Sequence, residues 1–153
     1  MSEPSITPVG DLHIDDFCKD LAKTLLLLYR RFPVKTALYV EDISGPDEPD
    51  EFGLHSPRFE ACFNALLWLK ESDYIWFNDT IKQEAVEEAT LSHRGFSLIA
   101  SYDSEVSVDD SNNNEAGLPA RRIDLIKRAM EDGNSEKLKE LILRYMLKSR
   151  DYL

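Results

Sequence analysis

Between Ser56 and Ala100 the apolar period changes twice, from helical to alternating and back, so one stretch has to form a helix, a hairpin and a second helix. Ser56 can accept from the orphan N–H groups of a first turn. Pro57 stands at the first helical position, where its missing donor costs nothing. At about 100° per residue, Phe59, Ala61, Cys62, Phe63, Ala65, Leu66, Leu67 and Leu69 cover most of the circumference, which predicts burial nearly all round. The narrow strip left for a partner carries Glu60, Asn64 and Glu71, with Trp68 along its edge. Tyr74 to Phe77 then reads as a strand and Asn78-Asp79-Thr80 as its turn. About Glu84 to Thr90 reads as the returning strand, and Leu91 to Ala100 as the helix that closes the core.

Ahead of this stretch, Ile14, Phe17, Cys18, Leu21, Leu25, Leu28, Tyr29 and Phe32 recur at three- and four-residue steps, which predicts a long helix. Asp15 and Asp16 suit its start, Arg30 and Arg31 its end, and Pro33 stops it. Leu26 and Leu27 widen the apolar face, so more than one neighbour is expected. Lys35 to Ile43 is short and rich in β-formers and predicts a strand, and Ser44 to His55 has the composition of an acidic loop. Residues 1–10, interrupted by Pro4 and Pro8, read as a flexible arm, and 102–118 as an acidic flexible linker. Beyond Pro119 two helices are predicted, Ala120 to about Glu131 and Ser135 to about Lys148. Ser135 is the expected cap of the second, and Leu138, Leu141, Ile142, Tyr145 and Met146 are its apolar stripe. The fold class is therefore α+β and mostly helical, with a domain over 11–101 and a helical appendage over 119–153.

Charge narrows the function classes. The chain carries 18 Lys and Arg against 29 Asp and Glu, a net charge of −11, which disfavours general attraction to phosphate backbones for the molecule as a whole and leaves only local basic patches for nucleic acid. The bases are unevenly placed: from Pro119 onward nine stand against six acids, whereas the preceding 118 residues hold nine against 23. No apolar run approaches the roughly 20 residues that span a bilayer, and the first residues lack the basic and apolar regions of a signal peptide, so a cytoplasmic location is expected. Cys18 and Cys62 fall on apolar helical faces and read as core thiols. His13, His55 and His93 are too far apart for a metal framework. Adjacent carboxylate pairs such as Glu87/Glu88 do not straddle a substrate, Ser92-His93 lacks a nucleophile elbow, and the glycine-containing loop is acidic. A non-enzymatic protein without a cofactor is the expectation.

Tyr74-Ile75, the hairpin, and Thr90-Leu91-Ser92-His93-Arg94-Gly95-Phe96-Ser97-Leu98-Ile99 together resemble the wing region of winged helix-turn-helix proteins, especially the MarR-like regulators. The resemblance implies a winged-helix domain, extended here by two C-terminal helices that in such proteins frequently serve dimerisation. It departs from the DNA-binding pattern in two places. The wing has Gln83-Glu84-Ala85 where DNA-binding members have a basic tip, and the acidic loop Ser44 to His55 stands where a helix should precede the recognition helix. Two functions follow as expectations. One is a protein-binding module, a homodimer or a subunit of a larger assembly, with Trp68, Tyr74, Trp76, Leu141 and Tyr145 as its contacts. The other is a DNA-binding regulator contacting nucleic acid through Arg58, Asn64, Lys82, Arg94, Arg121 and Arg122. Membrane binding is not expected, since Glu136 and Glu140 interleave with the C-terminal bases.

Overall fold

In a computed structural model, residues 11–105 and 119–152 are described. The arm at 1–10 and most of the linker, 106–118, lie outside the described residues. The element order is α1 (Leu12–Arg31), β1 (Thr36–Tyr39), α2 (Val40–Ser44), α3 (Pro57–Glu71), β2 (Ile75–Trp76), β3 (Asp79–Ile81), β4 (Ala85–Leu91), α4 (His93–Ala100), α5 (Arg122–Glu131) and α6 (Ser135–Lys148), with a final 3-10 turn at Ser149–Tyr152. This is an α+β arrangement in which helices pack on the inward face of a small antiparallel sheet.

Helix α1 is the centre of the core. Cys18, Leu21, Ala22, Leu25, Leu26 and Leu28 are all buried, and they pack against α3 on one side and α5 and α6 on the other. Ile123, Ile126, Leu138, Leu141, Ile142 and Tyr145 join the same apolar cluster, so the C-terminal helices complete the core.

Helix α3 starts as its residues dictate: the Ser56 hydroxyl accepts from the Phe59 N–H at 3.2 Å and Pro57 opens the first turn. It is less enclosed than expected. Ala61 is exposed and Leu67 only half-buried, so the outer surface is a broad face. The helix ends in a left-handed residue, Asp73 at φ +62°, with the Tyr74 N–H reaching the Leu69 carbonyl and the Asp73 N–H that of Lys70.

Two expectations about strands are corrected. Lys35 to Ile43 is not one strand, because Val40–Ser44 forms the short helix α2. Val40 and Ile43 are both buried, which helical spacing allows and a strand, sending them to opposite faces, would not. A helix therefore does precede α3. The hairpin turn is not at Asn78-Asp79-Thr80 either: these residues run into β3, and the chain reverses at Lys82 and Gln83, both left-handed at φ +49° and +60°. In the sheet, β4 is central, with β1 on one side and β2 and β3 on the other. The register of β1 on β4 shifts between Thr36/Ala89 and Leu38/Val86, where Glu88 at φ +54° forms a bulge.

Ser92 caps α4 by accepting from the Gly95 N–H at 2.9 Å, while the cap of α6 is Asn134, accepting from Lys137, and not Ser135. Gly95 has a packing reason to lack a side chain: an added Cβ would overlap the Tyr74 carbonyl oxygen and lie 2.9 Å from its carbon. That oxygen also accepts the Ser92 N–H and cannot yield freely. Gly95→Ala is expected to cost about 2–3 kcal/mol through overpacking, read from the urea midpoint. An unchanged midpoint would show that α4 does not press on the Tyr74 carbonyl.

Candidate interaction surface

Each residue proposed for nucleic-acid contact has a definite place in the fold. Arg58 reaches across from α3 to α1, where its Nη1 and Nη2 donate to both oxygens of Asp20 at 2.7 and 2.6 Å, with Asp16 at 3.8 Å. Asp20 is 2% exposed, so the guanidinium is what makes its burial tolerable. Asn64 turns back on its own helix and donates to the Glu60 carbonyl at 2.8 Å. Arg94 donates to the Ser72 carbonyl and to Ser149, with its guanidinium 5.0 Å above the Tyr74 ring. Arg121 holds the Ala100 carbonyl at 2.7 Å and the Tyr102 hydroxyl at 3.2 Å. Arg122 is buried and donates to the Leu98 carbonyl at 3.0 Å. Lys82 is exposed in the hairpin turn.

The residues proposed for protein contact divide. Trp68 is 39% exposed, edge-on to Phe17 at 5.2 Å and stacked beside Tyr74 at 6.0 Å, and Trp76 is 40% exposed. Tyr74, Leu141 and Tyr145 are core residues of this chain and therefore no contact surface. The hydroxyl of Tyr74 meets that of Ser149, and that of Tyr145 donates to Asp103 at 2.8 Å. Burial of Leu141 and Tyr145 follows from α6 lying on α1, which turns its apolar stripe inward, whereas Tyr74 is covered by Trp68, Arg94 and the Ser149 turn.

Sequence reasoning missed the residues that flank Trp76. Directly paired strand residues share a face and successive ones alternate. Tyr39, Ala85 and Ile81 therefore form one outward row and Asp79 and Glu87 a second; past the bulge at Glu88, the exposed Trp76 and its partner Thr90 form a third. Leu38, Val86, Ala89 and Leu91 fill the inward face. Tyr39 and Ile81 are 49% and 38% exposed, and the Lys35 ammonium lies 4.4 Å from the Trp76 ring centroid. The alternation Asp79/Ile81 and Ala85/Glu87 was the available signal.

Three polar clusters organise the rest. Arg144 joins Asp103 at 2.7 Å and Glu105 at 3.1 Å. Burial works to raise the Asp103 carboxyl, but the Tyr145 hydroxyl, the Glu105 N–H and Arg144 outweigh it and hold the group below the usual carboxylate range. His55 bridges the loop to the hairpin: Nδ1 meets Asp47 at 3.0 Å, Nε2 meets Glu84 at 3.2 Å, and the ring stacks on Phe59 at 3.8 Å. Asp47 and then Glu84 push the His55 pKa up, and hydrogen bonds from Ser56 hold that of Asp47 down. In the third cluster, Arg94, Tyr74 and Ser149 tie the hairpin base to the chain's last turn. Burial pushes the Cys18 and Cys62 thiols up to about 11 and about 12, which makes them poor nucleophiles. Among the described residues no group of three or more His, Cys, Asp or Glu is placed to hold a metal ion, and no helix is long and apolar enough to cross a membrane.

Comparison with known proteins adds no likeness: no family model, no curated protein and no solved structure matches this chain.

Two measurements check these roles. Arg58→Met strands the Asp20 carboxylate, and with Arg58 a third exposed the expected loss is roughly 2–3 kcal/mol, seen as a lower urea midpoint. A loss below about 0.5 kcal/mol would make Arg58 a surface residue. For His55 the folded pKa lies above its ordinary 6.5, so the clamp contributes fully below about pH 6.5 and fades as pH rises through the folded value. The gap in midpoint between the parent and His55→Asn should thus be larger near about pH 5.5 than near about pH 8. A gap that widens with pH contradicts the clamp.

Proposed function

We propose that this chain is a winged-helix module that acts in the cytoplasm by binding another protein and carries out no chemistry of its own. The order helix, strand, short helix, helix, then a hairpin leading to β4, supports the winged-helix reading, with α3 in the recognition position and β3 and β4 as the wing. A single observation favours protein over DNA. The arginines that a DNA-binding role would rely on, Arg58, Arg94, Arg121 and Arg122, are engaged with carboxylate, carbonyl or hydroxyl groups of this chain.

What remains outward on α3 and the wing suits phosphate poorly. Helix α3 exposes Glu60, Asn64, Trp68 and Glu71, and the ammonium of its Lys70 lies over the Phe77 ring at 4.4 Å. Phosphate contacts need donors in register with the backbone, and carboxylates at those positions repel it. Exposed tryptophans beside polar residues are instead what protein contacts use as anchors.

The test has two arms. Fluorescence anisotropy with labelled duplex DNA is expected to show no submicromolar binding at about 50 mM salt. Partners crosslinked in cells and remade from purified components should give a stoichiometric complex that Trp68→Ala or Trp76→Ala weakens by roughly tenfold, about 1.4 kcal/mol. Submicromolar DNA binding that falls steeply with added salt overturns the proposal.

A further inference from the structure

The outward face of the sheet contains an arrangement that is unfavourable for the isolated chain. Asp79 of β3 and Glu87 of β4 are directly opposed across the strands, on the solvent side. Like charges in that position repel and weaken the pairing. No cation is paired with either among the described residues: Asp79 accepts from the neighbouring Thr80 N–H at 2.7 Å, and Glu87 meets only the Asn78 amide at 3.5 Å. Lys35, at the same face, is placed over the Trp76 ring.

The flanks of the carboxylate pair are apolar. On the turn side, Ala85 is 1% exposed between Tyr39 and Ile81, making a shallow apolar saddle. On the other side lies Trp76. The first two rows stand two residues apart along β3 and β4, roughly 7 Å, and the third stands three residues further, past the bulge at Glu88, so apolar, acidic and apolar rows follow one another across the face. Exposed apolar surface next to an unrelieved carboxylate pair calls for a cation and apolar groups from one source.

We propose that this face docks a segment of another protein that presents an arginine or lysine between apolar side chains, the cation seating between Asp79 and Glu87. This rests on the protein-binding reading and gives it a surface and a partner chemistry. A second copy of the chain is a poor occupant of the same face, since symmetric stacking of the two sheets would bring four carboxylates together. A planar guanidinium can bond both carboxylates at once and stack on Trp76 or Tyr39, which makes arginine the better fit.

The probe is a soluble peptide with a Leu-Ser-Arg-Ser-Leu core, titrated into the isotopically labelled full chain and followed by NMR. A peptide with Glu for Arg serves as control. The expected result is shifts confined to Tyr39, Trp76, Asp79, Ile81 and Glu87 with the Arg peptide only. The double variant Asp79→Asn/Glu87→Gln should bind at least tenfold more weakly, while its urea midpoint rises because the repulsion is gone. Glu48→Lys/Glu51→Lys, which alters the net charge by more but lies in the acidic loop, should leave the response unchanged to within twofold. Equal binding by Asp79→Asn/Glu87→Gln, equal shifts from the Glu peptide, shifts centred on Glu60 and Glu71 of α3, or no shift at all overturns the assignment. If the chain still forms a stoichiometric complex with a protein partner in that case, the surface is wrong and the function stands. Tight, salt-sensitive DNA binding would remove the function itself.

Discussion

Helix α1 has too much apolar surface for one neighbour to cover. Leu21, Leu25 and Leu28 are each at most 2% exposed, and removing that much apolar area from water takes helices on opposite sides. Helix α3 supplies one side and the α5–α6 pair the other. Each is pinned to α1 by an ion pair of its own, Arg58 on Asp20 and Lys139 on Asp15 at 2.9 Å. The helices after Pro119 thus belong to the core: without them, α1 would lose the cover of α5 and α6.

The same demand governs where charge is spent. With bases outnumbered, this chain uses Arg58, Arg94, Arg122 and Arg144 to satisfy buried carboxylates and carbonyl groups, and fewer bases are left to offset the acids outside. An arginine can do this because its fork of donors serves several acceptors in one plane. The acidic character of the surface is thus in part a consequence of how the interior was made satisfiable.

Much of the fold was legible because it rests on local periodicity. The α1 repeat and the Ser56-Pro57 start are each encoded within a few residues, and they stand where expected. What was not legible depends on partners distant in the chain. Nothing around Tyr74 or Tyr145 tells that Ser149 and Asp103 will cover their hydroxyls, so both looked available as contacts. Likewise the partner of Arg58 is 38 residues earlier, and no spacing rule links them. The hairpin turn was misplaced because Lys82 and Gln83 adopt a backbone region that Asn or Gly would ordinarily signal, while Asn78-Asp79-Thr80 has turn chemistry in a segment that pairs with β4. The outward row of Tyr39, Ala85 and Ile81 joins three strands, and only register brings it together.

Tyr74 occupies a junction with an uncommon number of attachments. Its N–H closes α3, its carbonyl receives the Ser92 N–H and abuts Gly95, its ring lies beside Trp68 and under Arg94, and its hydroxyl ends at Ser149. A strand that begins at the next residue has no slack at its root. The base of the hairpin is therefore fastened at once to α3, to α4 and to the turn at Ser149–Tyr152, so Trp76 stands on a root held from three directions.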